Sequence, residues 1–227
     1  AILDVYSCVA DKIWENCNMA LAPDPLRPTL GHNPNNLSGL ALGWEVRLGS
    51  WLDEAEPMIR DGKIEAVYLG DELMCLGVPF ANYTAVANFV RRRLDALNST
   101  AFIYSNECGS PFTMKDRIFS IPDKLPEAVD QISVDIYDVG STEVSRVRAF
   151  YHQYVTPKLR PQQSMVAVMG LFADSNTSAA GSLQQQESAL VQKLNAYWLW
   201  AQNDPKVVGL NVWHWIDIPP ALKGRRR

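Results

Sequence analysis

From residue 51 onward, two kinds of apolar segment alternate along the chain. The first kind is short and nearly continuous: Ile64-Glu-Ala-Val-Tyr-Leu-Gly-Asp-Glu72, the run 100–106, 131–137, the almost wholly apolar 164–172, and 207–215. Runs of this length and purity predict strands buried on both faces. The second kind is longer and amphipathic. Residues 81–97 place Val86, Phe89, Val90, Leu94 and Leu97 at three- and four-residue spacing, with Arg91 to Arg93 on the wet side, which predicts a helix. Helices are likewise expected over 51–61, over 143–156 with Pro157 as its stop, and over 184–203 with Leu190, Leu194, Tyr197 and Trp198 turned inward.

Strand starts recur about every 30 to 45 residues, the size of a βα unit. No repeat consensus supports a solenoid of that period. The expected fold class is α/β, a (β/α)8 TIM-barrel-like domain. The strand count is short of a barrel, however. Five strands fit between 64 and 217, and the irregular N-terminal segment, residues 1–50, has room for two more, Ala1–Tyr6 and Gly39–Val46, around a Pro- and Asn-rich stretch at 16–38. One or more N-terminal strands are therefore expected to be missing from this chain, and the Glu72 strand would count as the fourth. Residues 1–227 read as one barrel domain with regular units over 51–217 and a basic tail, 218–227.

Composition narrows the function. The chain of 227 residues is 47% apolar with a net charge of −4, enough for one core. Basic residues cluster at Arg91–Arg93 and at the terminal Lys223-Gly-Arg-Arg-Arg227, with no stripe over a whole face, so a nucleic-acid partner is not expected. No apolar run is long enough to span a bilayer. No glycine-rich phosphate loop points to a nucleotide cofactor, and three scattered His build no metal site; neither cofactor nor metal is expected. Four N-glycosylation acceptors, at Asn36, Asn82, Asn98 and Asn176, exceed the single match or so that chance supplies and point to a secreted, extracellular protein. The four cysteines fit that compartment. Cys75 and Cys108 follow adjacent strands on one rim, so of the three pairings that four cysteines allow the expected bridges are Cys75–Cys108 and Cys8–Cys17, with a zinc site the weaker alternative.

The strands end on acids: Asp71 and Glu72, then Glu107, then Asp135 and Asp138, then Asp217. In a β/α barrel those ends gather on the face that carries the active site. Adjacent carboxyls on a strand end, one of them in a dry pocket, can have their pKa values pushed apart, as an acid/base pair needs. Glu72 is the candidate general acid, Asp71 its orienting partner and Glu107 the candidate second carboxylate, ahead of Asp135 and Asp138. A structural salt bridge or loop cap is the plainer reading of the same acids. Tyr68, Tyr104 and Tyr137 sit near strand ends, where they either line a sugar site or pack as core. On the last strand, alternation puts Trp213 and Trp215 on one face and His214 on the other. Trp213 is the candidate sugar platform.

Gly70-Asp71-Glu72 resembles the acid/base strand of the (β/α)8 glycoside hydrolases (the cellulase-, hexosaminidase- and chitinase-like barrels), and Trp213-His-Trp215 is similar to their aromatic platform. The resemblance implies a carbohydrate partner and a hydrolase of O-glycosyl bonds. The chain departs from it on the strand counted as seventh, where Val168-Met-Gly-Leu-Phe-Ala-Asp174 offers no nucleophilic Glu. Two outcomes stay open. An Asp-Glu pair serves those relatives that use the substrate's own acetamido group as nucleophile. Alternatively, the barrel has lost catalysis and serves in sugar binding or extracellular assembly, with other extracellular proteins or the missing N-terminal strands as partners.

Overall fold

The computed structural model describes residues 2–4, 44–75, 78–115, 118, 120–136, 143–170 and 182–213. Cys8, Cys17, Asn36, Tyr137, Asp138, Asn176, His214, Trp215 and the basic tail lie outside the described residues, as does the side chain of Trp213. The chain divides into two compact units: 1–134 with 158–164, and 135–157 with 165–227.

In the first unit, parallel strands alternate with helices. The elements are β1 (Ile2–Asp4), α1 (Trp44–Arg60), β2 (Ala66–Asp71), α2 (Phe80–Ala96), β3 (Phe102–Cys108), a single turn α3 (Ser110–Thr113) and β4 (Gln131–Asp135), whose last residue falls in the second unit. The strands lie side by side in chain order, with Ile2 opposite Ala66 and Ala66 opposite Phe102. Each helix buries one stripe. Leu48, Leu52, Ala55 and Ile59 of α1 are buried, as are Tyr83, Val86, Ala87, Val90 and Leu94 of α2. The edge of Trp44 meets the Phe89 ring at 5.3 Å, and an Arg93–Asp53 ion pair links the same two helices at the surface. At the entry to β4, Asp130 accepts from the Ile103 amide at 2.6 Å and from Arg91. The buried Gln163 amide donates to the Pro126 and Val129 carbonyls at 2.8 and 2.7 Å, and the first of these also accepts from the Val129 amide at 3.1 Å, so both buried loop carbonyls are paired.

One expectation fails here. The expected strand Gly39–Val46 does not hold at its described end, where Trp44-Glu45-Val46 opens α1; residues 39–43 lie outside the described residues. Leu48, four residues past Trp44, continues the stripe that Leu52 and Ala55 bury. Helical periodicity therefore reaches back into this segment and overrides its run of apolar residues.

The second unit holds α4 (Glu143–Phe150), β5 (Ser164–Gly170, its first residue in the first unit), α5 (Leu183–Asn203) and β6 (Val207–Trp213). β6 lies parallel to β5, with Ala167 opposite Leu210 and Gly170 opposite Trp213. α4 does not stop at Pro157. It relaxes into a π turn over Tyr151–Val155 and a 3-10 turn over Thr156–Lys158, which accommodates the proline. A core of aromatic rings follows: Tyr151 and Tyr197 are fully buried, Trp200 is 2% exposed, and Tyr151 meets Trp200 edge-on at 5.3 Å. Trp200 Nε1 donates to Asp204 at 3.1 Å. The inward stripe of α5 thus runs through Tyr197 and Trp200, whereas Leu194 and Trp198 are 42% and 55% exposed. Counting from Leu194 sets the phase of the stripe one residue off. Parallel strands alternating with helices are the repeat of a (β/α)8 barrel, present here in part, and the α/β fold class stands.

α5 starts on a capping box: the Ser182 hydroxyl accepts from the Gln185 amide, and the Gln185 side chain accepts from the Ser182 amide at 2.7 Å. Ser182→Ala should lower unfolding free energy by about 1 kcal/mol, read as a lower denaturant midpoint with an unchanged slope.

Candidate functional site

The polar residues of the first unit concentrate where β2, β3 and β4 end. β2 arrives there with one residue too many. Tyr68 pairs with Tyr104 and Asp71 with Asn106, so three steps on β2 match two on β3. The extra residue is a bulge, and Gly70 makes it possible. Its φ of +149° suits glycine, and a Cβ there would come within 2.9 Å of the Leu73 side chain. The bulge turns Asp71 onto the face that already carries Tyr68, where simple alternation would have sent it the other way. Glu72 follows at a φ of 51°, left-handed backbone that costs a non-glycine residue about 1 kcal/mol. Its amide donates to the Asn106 carbonyl at 2.8 Å, which extends the pairing with β3 by one residue.

On that face a directed hydrogen-bond chain forms. Tyr104 Oη donates to Ser133 Oγ at 2.6 Å, and Ser133 Oγ donates to Asn106 Oδ1. Asn106 Nδ2 then donates to Asp71 Oδ1 at 2.6 Å. Tyr68 Oη reaches the same Asp71 oxygen at 3.3 Å, and the Tyr68 and Tyr104 rings stack at 5.2 Å. Both bonds to Asp71 fall on Oδ1, so among the described residues the carboxylate is held by one oxygen while Oδ2 is left available. Asp71 and Glu72 are half-buried.

Glu107 lies on the opposite face of β3. Alternation groups it with Ile103 and Ser105, and all three are fully buried. Both of its oxygens accept from the Met74 amide, at 3.1 and 3.4 Å, and the Cys75 amide adds a further bond. The loop that carries those donors is tied to the strand by a Cys75–Cys108 disulfide with a Cα–Cα distance of 6.2 Å, as expected from their places on one rim. Burial pushes the Glu107 carboxyl well above its ordinary range. The two amides work against that rise, and the charges of Glu72 and Asp71 add to it. Tyr83 of α2 is buried with it, and its hydroxyl is raised first by burial and then by Glu107. Ser105 lies close enough to oppose this, although neither Tyr83 Oη nor Ser105 Oγ reaches hydrogen-bond geometry with a described group.

The expected residues are therefore sorted. Asp71, Glu72 and Tyr104 gather at the strand ends, joined by Asn106, Ser133 and Tyr68. Glu107 is close in charge terms but sealed beneath Leu73–Cys75. Asp135 ends β4 in the second unit. Asn106 and Ser133 were not singled out from the sequence; the only signal was their spacing of two residues or fewer from Tyr104, Glu107 and Asp135. Among the described residues no group of acids, His and Cys is placed to hold a metal, and no helix is long and apolar enough to cross a membrane.

No family profile and no curated protein matches the sequence. Solved structures do. A GH113 β-1,4-mannanase is 12% identical with a TM-score of 0.41, over 82% of this chain and 57% of its own. The GH113 β-mannanase AaManA from Alicyclobacillus acidocaldarius, in complex with ManMIm, is 15% identical with the same score, over 85% and 57%. The chain thus spans less than three-fifths of the length of these structures, and no residue role is carried over from them.

The raised Glu107 carboxyl fixes the sign of a pH effect. Below its ordinary value of about 4.5 the group is protonated in both the folded and unfolded chain. As pH rises past that value, the unfolded chain ionises while the folded one holds its proton, so stability falls, by at most about 1.4 kcal/mol per pH unit, until the folded value is passed. Glu107→Gln should flatten this portion of the stability–pH profile, measured by chemical denaturation across pH 4 to 8.

Proposed function

We propose that the ends of β2, β3 and β4 form a glycan-acting site of glycoside-hydrolase type, working with the help of the substrate's own acetamido group. One observation carries this reading. Asp71 and Glu72 are half-open at the rim, Asp71 presents one unbonded oxygen, and the third carboxyl, Glu107, is sealed away from any substrate. A pair of rim acids whose neighbouring carboxyl on β3 is sealed suits chemistry in which the nucleophile comes from the sugar. Glu72 protonates the departing glycosidic oxygen as the acetamido carbonyl oxygen closes on the anomeric carbon. Asp71 Oδ2 accepts the acetamido N–H and stabilises the cation that forms. Water then opens the cyclic intermediate, with Glu72 taking its proton back. Asn106, Tyr68 and the Tyr104–Ser133 pair fix Asp71 in place, and burial, with the rim charges adding to it, raises the Glu107 carboxyl. The carbohydrate partner and an extracellular location belong to the same proposal.

A second reading is favoured by the closure of the polar chain from Tyr104 to Asp71. A continuous polar chain beside stacked tyrosines is also what a barrel without catalysis would keep for binding sugar.

The test compares aryl glycosides with and without the 2-acetamido group. Turnover of the acetamido substrate alone is expected. Glu72→Gln should cut it about 10²- to 10⁴-fold, and Asp71→Asn should cut it too, with unfolding midpoints close to wild type. Equal turnover of both substrates, or full activity in Glu72→Gln, would overturn the assignment. A glycan that is retained but never cleaved selects the second reading.

A further inference from the structure

Two of the glycosylation acceptors lie among the described residues, and the first unit treats them differently. Asn82 sits in the first turn of α2, half-buried and engaged. The hydroxyl of its acceptor threonine, Thr84, donates to the Phe80 carbonyl at 2.8 Å. Asn98 follows the other end of α2. It adopts left-handed backbone, φ 51°, the conformation that closes a helix and that Asn tolerates better than other side chains. The turn is held by its backbone: Asn98 N bonds the Asp95 carbonyl at 2.9 Å and Ser99 N bonds that of Leu94 at 3.0 Å. The Asn98 amide group and the Thr100 hydroxyl are both exposed and take no part in the hydrogen bonds of the described residues.

We infer that Asn98 is an N-glycan attachment site and that Asn82 is not. The amide nitrogen of Asn98 attacks the anomeric carbon of a lipid-pyrophosphate-linked oligosaccharide. The C–O bond to the pyrophosphate breaks, the lipid pyrophosphate leaves with the electron pair, and Nδ2 loses one proton. Topology favours the same choice. Asn98 lies between the end of α2 and the start of β3, at the strand ends opposite Asp71 and Asn106, so a glycan there leaves the candidate site open. A glycan on Asn82 would stand on the rim itself, beside the buried Tyr83. The Cys75–Cys108 disulfide adds an independent mark of an oxidising, secretory compartment. The exposure and bonding of the two acceptors carry this inference; only the choice by topology rests on the catalytic proposal.

The full chain would be expressed behind a secretion leader in eukaryotic cells, and glycopeptides mapped after release by peptide N-glycosidase in heavy-oxygen water. The expected result is a heavy label at position 98 and little at 82, with loss of one glycan's mass in Thr100→Ala and in Asn98→Gly, which keeps the left-handed turn. A bare Asn98 in the secreted protein, or occupancy at Asn82 equal to that at Asn98, would overturn the inference.

Discussion

The first unit is organised around one unfavourable act, the complete burial of the Glu107 carboxyl. A carboxylate in an apolar layer is costly unless it is neutral or well supplied with donors. Both remedies are present. The Met74 and Cys75 amides point at its oxygens, and burial, with two negative neighbours, drives it toward the protonated form. Supplying those amides obliges the chain leaving β2 to fold back over the end of β3 at once. That return explains why Glu72 adopts left-handed backbone. It also places Cys75 within reach of Cys108. The strain at Glu72 is small beside the cost of an unpaired buried charge, so the trade is favourable.

The bulge at Gly70 solves a separate problem on the other face. Without the extra residue, Asp71 would share Glu107's side of the sheet and add a second acid to a dry layer. With it, Asp71 meets Asn106 and Tyr68 among donors. Two carboxyls from adjacent strands are thereby kept in unlike surroundings, one dry and one polar, the arrangement that separates acids by role.

Periodicity made much of the fold legible. Four helices and five strands from residue 44 onward stand close to where the pattern puts them, because long stripes such as Val86, Val90 and Leu94 admit one phase only. Trp198 shows the limit: several apolar residues in succession on α5 leave the phase ambiguous, and packing against Tyr151 chose Trp200. The cysteine pair was legible because two strand ends on one rim bring their loops together. The site was legible only as a set of strand ends. Which face each acid takes depends on a bulge whose single trace in the sequence is Gly70, and alternation alone would have misplaced Asp71. The polar partners Asn106 and Ser133 carry no signal of their own, since a buried Ser or Asn is recognised only once its bonds are known.

These two faces are coupled by charge rather than by contact. Burial raises Glu107, and Asp71 and Glu72 add to the rise; a Glu107 that holds its proton spares the rim a third negative charge. If Glu107 ionised, its field would act on both rim acids through a low-dielectric layer, where charge interactions are stronger than in water. The sealed acid therefore matters to the open ones without touching a ligand. Its burial sets how much negative charge the strand ends can carry, and the disulfide-tied loop that maintains that burial belongs to the site as much as the residues facing solvent do.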